Sequence, residues 1–271
     1  MASWLLEHSR EAINMTIAEV ATATEVSEPT VIRCCRSLGL AGFRELRAEL
    51  ISLSHRADSY VHQDVSPEDS ARIAARKVME SCVSAFMEAS HQIGSLPLDG
   101  AVTAMANARQ LIFCGLGASG YVARDAQHKF FRLGIPCSTA LDAQTMLQCA
   151  AIASADDVFV AISHTGGWPE MLTALSHARD RGAKVVAISY PNSPLAQLAS
   201  HPLACYARED TSHVTPMSSR LVHLALLDGL QVALALHLGT RAADNLKASK
   251  DILNLPGRLE LVSSSKKETD L

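Results

Sequence analysis

The chain has 271 residues, of which 48% are hydrophobic and 19% are charged. It is therefore long enough for one or two globular domains and too apolar to be disordered over most of its length. Aromatic residues make up only 4% of the chain, which argues against a surface that stacks nucleic-acid bases. The formal net charge of −4 argues against indiscriminate binding of nucleic acid by the whole surface.

Seven cysteines are spread along the chain without a CxxC spacing. This pattern predicts neither a disulfide framework nor a zinc ribbon, and it favours a reducing cytosol. The apolar stretch 221–238 is interrupted by His223 and Asp228 and indicates a buried helix, so no membrane partner is expected. The sequence predicts no cofactor and no metal.

The segment 16–39 predicts two short helices joined by a tight turn. The first has apolar residues at the helical spacing i, i+3, i+4. The second has Ser27 as its N-cap residue and Pro29 in its first turn, where the missing N–H costs little. Glu25 stands in the turn, where glycine is commonest. Two such helices, with Ala21 small enough to allow a close crossing, are typical of a helix-turn-helix.

The second helix is predicted to have an apolar inner face, formed by Val31, Cys34, Cys35 and Leu38. Its outer face suits DNA, because arginine donates paired hydrogen bonds to guanine and hydroxyl groups bind phosphates. An ordinary helical hairpin with solvated arginines is the alternative interpretation. The residues predicted to contact DNA are Ser27, Thr30, Ile32, Arg33 and Arg36.

From residue 109 onward, short apolar runs alternate with helical segments. This alternation predicts a doubly wound α/β domain with five parallel strands and helices on both faces of the sheet. The predicted strands are 110–117, 136–141, 157–163, 184–190 and, more weakly, 204–207.

Two of the predicted strands are followed by loops rich in glycine and hydroxyl groups. GLGASG, at 115–120, matches GxGxxG, and Asp142 follows the next strand, as a dinucleotide site requires. SHTGG, at 163–167, precedes another helix. Two such loops suit a single phosphate, because their hydroxyl groups and the N–H groups of both helices converge on the anion. Simple capping of the two helices is the alternative for these hydroxyl groups.

The stretch TIAEVA, followed by VSEPTVIRCCRSLGLAGFRELRAEL, resembles the helix-turn-helix of the RpiR family of bacterial sugar-metabolism regulators. The family usually has a full helix before this pair, so a short first helix and a marginally stable small domain are expected here. The pair GLGAS and SHTG resembles the sugar isomerase (SIS) domain, which binds phosphosugars, over residues 101–239.

The SIS resemblance implies a set of ligand-binding residues. It implies that the hydroxyl groups of Ser119, Ser163 and Thr165 contact the phosphate, whereas Trp168 stands where the family pattern has its last hydroxyl group. The predicted phosphosugar-binding residues are Gly117, Ala118, Ser119, Ser163, His164, Thr165, Gly166 and Ser218.

Three further stretches resemble the family members that control glucose catabolism: DAQHKFFRLGIP at 125–136, MSSR at 217–220 and an acidic segment at 209–211. The resemblance implies an effector such as 2-keto-3-deoxy-6-phosphogluconate or a related phosphosugar.

The expected organisation is a helix-turn-helix domain at 1–54, a linker and connecting helix at 55–100, a SIS domain at 101–240, and a helix with a flexible tail at 241–271. The expected function is that of a cytoplasmic transcriptional regulator, a repressor of carbohydrate catabolism genes. It would bind operator DNA as a homodimer or a higher homo-oligomer.

Two other functions compete with this one. A phosphosugar isomerase would need acid–base groups, for which the candidates are His128, His164 and His213. A dinucleotide-binding protein would need only the first loop, together with Asp142.

Overall fold

The computed structural model describes residues 4–5, 8–12, 15–57, 62, 64–205 and 217–254. Their contacts divide them into two compact units, one ending at Ser81 and the other beginning at Cys82. The acidic segment 209–211, His213 and the tail expected after Pro256 lie outside the described residues.

The N-terminal unit is helical in its described residues. Its second helix begins with a capping box, in which Thr16 Oγ1 accepts the Glu19 N–H and the Glu19 carboxylate accepts the Thr16 N–H at 2.6 Å. The helices are α1 (Ser9–Ala12), α2 (Ile17–Ala23), α3 (Glu28–Ser37), α4 (Phe43–Ala57) and the start of α5 (Ala71–Gln92). The buried core of this unit consists of Leu5, Ala12, Val20, Ala21, Val31, Cys35, Leu46 and Leu50.

The inner face of α3 differs from the prediction at its C-terminal end. Val31 and Cys35 are buried, but Cys34 is only half-buried and Leu38 is 60% exposed, so the expectation for Leu38 is wrong. The helix ends at Ser37, and the chain then turns back through Gly39, whose φ is +80°. This turn brings Leu40, rather than Leu38, against the core.

The C-terminal unit contains the predicted parallel sheet, with strand order β2-β1-β3-β4-β5. This order and the helices on both faces confirm the doubly wound α/β fold of the flavodoxin type. The strands are β1 (Gln110–Gly115), β2 (Cys137–Ala140), β3 (Asp157–Ser163), β4 (Lys184–Ser189) and β5 (His201–Ala204). The helices are the rest of α5, α6 (Leu98–Ala106), α7 (Ala118–Phe130), α8 (Ala143–Ala151), α9 (Pro169–Asp180), α10 (Pro194–Leu198), α11 (Ser218–Leu238) and α12 (Thr240–Asp251).

The fifth strand lies earlier in the chain than the sequence predicts. It runs from His201 to Ala204 instead of over 204–207, and it pairs with β4 from Val186 onward. The Ser200 hydroxyl accepts the Val185 N–H just before this pairing begins. Pairing with β4 therefore determines where β5 begins, whereas the prediction relied on the apolar run at 204–207.

Alternate residues of each strand enter different cores, as the two-residue period of a strand requires. Leu111 and Phe113 pack with α6, α7 and α11, whereas Ile112 and Cys114 pack with α8, α9 and α10. Both faces of the sheet are therefore covered, which accounts for the nearly continuous apolar sequence of the strands.

Among the described residues, α11 is the one helix that is long and apolar enough to cross a membrane by length and composition. It packs against α6 and α7 and buries Val222, Leu226, Leu230 and Leu234, which are spaced four residues apart. This stripe faces the core of the C-terminal unit, so core packing accounts for the apolar residues on that side of α11.

An ion pair between an exposed arginine and a buried carboxylate joins the amino ends of the two central strands. The Arg109 guanidinium, just before β1, donates two hydrogen bonds of 2.8 and 2.9 Å to the Asp157 carboxylate at the start of β3. Burial by itself raises the pKa of Asp157, but the hydrogen bonds from Arg109 and Ser154 outweigh it, so the pKa lies below its usual value.

Replacing Asp157 with asparagine should lower the free energy of unfolding by about 1–3 kcal/mol, because the neutral amide loses the charge-assisted hydrogen bonds that the buried carboxylate accepts from Arg109 and Ser154. A depressed pKa stabilises the fold above about pH 4, and this contribution disappears as the pH falls through the folded-state pKa. Urea unfolding at several pH values should therefore show that the free energy of unfolding falls less with decreasing pH in the variant than in the wild type. Asp156→Asn, at the exposed neighbouring position, is the control. Equal stability of the two variants would contradict this role.

Candidate functional site

Three strands of the C-terminal unit end at the same edge of the sheet. Gly115 of β1 lies opposite Ile162 of β3, and Ser163 of β3 lies opposite Ser189 of β4. In this strand order the connections after β1 and β3 lead in opposite directions, and ligands of such folds bind in the crevice between them. The crevice here lies between the two glycine-rich loops.

The first loop joins β1 to α7 in a tight turn. Gly117 has a φ of +53°, and a Cβ on Gly115 would lie 2.4 Å from the Ser119 carbonyl oxygen. Ala118 and Ser119 form the start of α7, where the positive end of the helix dipole favours an anion. The N–H groups of Ser119 and Gly120 donate to the carbonyl oxygens of Leu116 and Gly117 and close the turn. Ser119 is half-buried, and its hydroxyl group has no hydrogen-bond partner among the described residues. The capping alternative therefore does not account for Ser119.

The second loop follows β3 and is held by its own hydrogen bonds. The buried Ser163 hydroxyl accepts the Gly166 N–H at 3.2 Å, and the Gly166 carbonyl accepts the Leu195 N–H at 3.0 Å. Ser163 thus closes the loop, while its own proton remains available to a ligand. Thr165 is exposed at the tip.

Two serines that the sequence analysis missed support the second loop. Ser189 Oγ and Ser193 Oγ lie 2.9 Å apart, and both residues are buried. A Cβ on Gly166 would lie 2.4 Å from Ser193 Oγ, so only glycine fits at this position. Ser193 also accepts the Ala196 N–H as the N-cap of α10. The signal was present, since serine before Pro194 is a typical helix start.

The remaining predicted ligand residues, His164 and Ser218, are buried. The His164 ring lies edge-on to Tyr190, with centroids 5.9 Å apart, and also contacts His223 of α11. Ser218 begins α11, and its Oγ lies 4.0 Å from the Cys82 sulfur. The structure thus places Ser163, His164, Thr165 and Gly166 in one loop and the first-loop residues across the crevice from them.

Asp142 has a local structural role. It is the N-cap of α8, and its carboxylate accepts the Thr145 N–H at 2.8 Å and the Thr145 hydroxyl at 2.7 Å. These hydrogen bonds lower the pKa of Asp142. Capping of α8 therefore accounts for an aspartate at this position without a bound nucleotide.

The outer face of α3 carries the residues predicted to contact DNA. Ser27 Oγ lies 2.9 Å from Thr30 Oγ1, which accepts a hydrogen bond of 3.1 Å from the Arg33 guanidinium. These side chains form a hydrogen-bonded row, and Ser27 makes no side-chain cap bond. Arg33 and Arg36 are exposed, whereas Ile32 is half-buried.

Within the part of the chain that the structure describes, no group of three or more histidine, cysteine, aspartate or glutamate side chains is arranged to hold a metal ion. The polar groups at the carboxyl edge of the sheet are mostly hydroxyl and backbone N–H groups. Such donors suit a phosphate.

Comparisons with known proteins agree with this arrangement. The family model described as a helix-turn-helix domain of the rpiR family matches residues 1–55, and the model of the SIS domain matches residues 104–233. The HTH-type transcriptional regulator HexR of Pseudomonas aeruginosa is 36% identical over 261 residues, which are 96% of this chain and 91% of that protein. The chain belongs to the RpiR family.

Two further relatives of this RpiR-family chain extend the comparison. HexR of Escherichia coli is 33% identical over 93% of this chain and 88% of that protein. Among solved structures, the Vibrio vulnificus NanR protein complexed with ManNAc-6P has a TM-score of 0.65 at 25% identity and covers 93% of this chain and 90% of that one. The chain is thus a transcriptional regulator of the RpiR type with a SIS domain, as its two sequence motifs predict.

The two loop serines should differ in their effect on stability. Ser163→Ala leaves the buried Gly166 N–H without its acceptor and should lower the free energy of unfolding by about 1–3 kcal/mol. Ser119→Ala removes a hydroxyl group without an internal partner and should change the free energy of unfolding by less than about 0.5 kcal/mol. Urea unfolding of the ligand-free protein measures both values. A larger loss for Ser119→Ala would mean that its hydroxyl group serves the fold.

Proposed function

We propose that this protein represses carbohydrate catabolism genes by binding their operator DNA, and that a phosphosugar such as 2-keto-3-deoxy-6-phosphogluconate controls its affinity for DNA. The observation that carries the proposal is the free Ser119 hydroxyl group at the start of α7, across the crevice from the Ser163 loop. This is a site for a small phosphorylated ligand in a chain that also carries a helix-turn-helix.

The proposed phosphate site combines hydroxyl groups with backbone N–H groups. Ser119 offers an unpaired hydroxyl group, Ser163 offers its hydroxyl proton, and the first turn of α9 offers backbone N–H groups, while the N-terminus of α7 adds its helix dipole. Hydrogen bonds to a charged group are stronger than those between neutral groups, so a dianion gains most from such a site. The complex of NanR with ManNAc-6P supports a phosphosugar as the ligand class.

The proposed DNA contacts lie on the exposed side of α3. In the free protein, Thr30 holds the Arg33 guanidinium near the start of the helix, which is the end that enters the major groove in helix-turn-helix proteins. Arg33 would read a base edge or a phosphate there, and Ser27 and Thr30 would hold the phosphate backbone. Arg36, one turn later, would extend the same contact.

A homodimer is the proposed DNA-binding form, because one helix-turn-helix reads one half-site and an operator with two-fold symmetry requires two. The C-terminal unit also exposes apolar side chains that a second copy would cover. Phe86 of α5 is 40% exposed, and Val232 and Leu236 of α11 are 55% and 78% exposed. Large exposed apolar surfaces on soluble proteins mark interaction sites.

A phosphosugar isomerase is the competing proposal, and the described histidines do not favour it. His128 is exposed near the end of α7, about 14 Å along the helix axis from Ser119. His164 contacts the buried His223, and burial together with His164 lowers the pKa of His223 to about 3, which is too low for a general base or acid near neutral pH. Incubation of the protein with sugar phosphates should therefore give no conversion above background, and conversion that depends on Ser119 would favour the enzyme.

Replacing Arg33 with alanine should weaken operator binding by about 1–3 kcal/mol per half-site, because it removes a base or phosphate contact. Fluorescence anisotropy with labelled operator DNA measures the loss, and phosphosugar binding should remain as in the wild type. Arg124→Ala, an exposed arginine in the C-terminal unit, is the control. If both variants bind the operator equally well, α3 is not the recognition helix.

Ser119→Ala should weaken phosphosugar binding by roughly tenfold to a hundredfold, which corresponds to a lost hydrogen bond to a charged group. Its operator affinity without effector should equal that of the wild type, but the operator complex should no longer respond at wild-type effector concentrations. Because coupling is reciprocal, operator DNA should also change the effector affinity of the wild type. Titration calorimetry with 2-keto-3-deoxy-6-phosphogluconate tests both points, with Ser176→Ala as the control. A normal response of Ser119→Ala would refute the site.

A further inference from the structure

Two histidine rings meet beneath the second loop. His164 directly follows Ser163 at the end of β3, and His223 lies in the second turn of α11. Their ring centroids are 5.8 Å apart, with planes inclined by 45°. His164 is 9% exposed and His223 is 2% exposed, so this contact between the loop and α11 is made by two buried imidazoles.

The His223 ring carries an unsatisfied polar atom. Its Nε2 is buried and has no hydrogen-bond partner among the described residues. Buried polar side chains in native proteins are almost always hydrogen-bonded, and an unpaired one is costly. An apolar residue would pack at this position without that cost, so the stability of the ligand-free fold does not explain this imidazole.

The His223 ring is also uncharged. Burial, together with the neighbouring His164, lowers the pKa of His223 to about 3. A neutral imidazole offers one N–H group and one nitrogen lone pair. Such a group suits a hydroxyl or carbonyl oxygen, whereas it offers no positive charge to a phosphate.

His223 is connected to the hydroxyl groups assigned to the phosphate through His164. Its ring contacts His164, and His164 is flanked in the chain by Ser163 and Thr165. Ser219 lies one turn before His223 on the same buried face of α11. A ligand whose phosphate binds to Ser163 would therefore lie next to His164, the residue that the His223 ring contacts.

We propose that His223 is a specificity-determining residue of the effector site, and that its Nε2 forms a hydrogen bond with a hydroxyl or carbonyl oxygen of the sugar. The inference rests on the proposed function, because it assumes that the loops of Ser119 and Ser163 bind the phosphate. It assigns the effector to phosphosugars that carry an oxygen at this position, and it disfavours short phosphates such as glycerol 3-phosphate. A site that hydrogen-bonds a sugar oxygen discriminates strongly against analogues that lack it.

Three variants of the full-length protein separate this role from simple packing. His223→Leu removes both ring nitrogens, whereas His223→Gln keeps an amide that can hydrogen-bond. His237→Gln changes an exposed histidine on the same helix and is the control. The probes for titration calorimetry are 2-keto-3-deoxy-6-phosphogluconate, glucose 6-phosphate, glycerol 3-phosphate and inorganic phosphate.

We expect His223→Leu to bind the preferred sugar phosphate about tenfold more weakly than the wild type and to bind inorganic phosphate equally well. His223→Gln should recover most of the lost affinity, and His237→Gln should behave as the wild type. The melting temperature of ligand-free His223→Leu should equal or exceed that of the wild type, because the unpaired nitrogen is gone. A purely structural histidine would instead lower the melting temperature and weaken all phosphorylated probes alike.

Wild-type affinity of His223→Leu for every probe would overturn the inference and leave the proposed function intact. An equal loss of affinity for inorganic phosphate and for sugar phosphate in His223→Leu would likewise overturn the inference alone. If the wild-type protein binds neither sugar phosphate, the proposed effector site itself fails, and the role of His223 fails with it.

Discussion

The parallel pairing of β1 with β3 is the constraint on which the candidate effector site depends. Its register, with Gly115 opposite Ile162, brings the two glycine-rich loops to one edge of the sheet. The connections then lead away in opposite directions and leave a crevice between the starts of α7 and α9. At the other end of the strands, the ion pair between Arg109 and Asp157 holds the same register. A slip of one residue would turn every side chain of the strand to the opposite face.

The second loop is supported by an internal layer of hydroxyl groups. Ser189 and Ser193 lie beneath Gly166, and Ser163 closes the loop from its own start. These contacts order the loop without a ligand, so little conformational entropy is lost when a ligand binds. Ser189 and Ser193 thus serve the loop and α10 through contacts with each other and with the Ala196 N–H. The buried imidazole of His223 adds a polar group that this layer does not satisfy.

The two units of the chain organise their polar side chains differently. In α3 the row from Ser27 to Arg33 is held by hydrogen bonds between residues three apart in sequence, so it forms wherever the helix forms. At the sheet edge, the polar groups come from segments more than forty residues apart, such as Ser119 and Ser163. In a regulator, the response of the first surface to a ligand at the second is a coupling free energy, which links two binding equilibria in both directions.

The sequence by itself determined the fold class, the helix-turn-helix and both hydroxyl-rich loops, because each depends on a local pattern. The bounds 157–163 of β3 were predicted correctly, since a fully buried strand is a continuous apolar run. The tertiary structure alone decided that Leu38 is exposed, that Ser193 supports the second loop, and that His223 meets His164. These outcomes depend on where the chain turns and on which distant segments pack together, and no periodicity within one helix or strand contains that information.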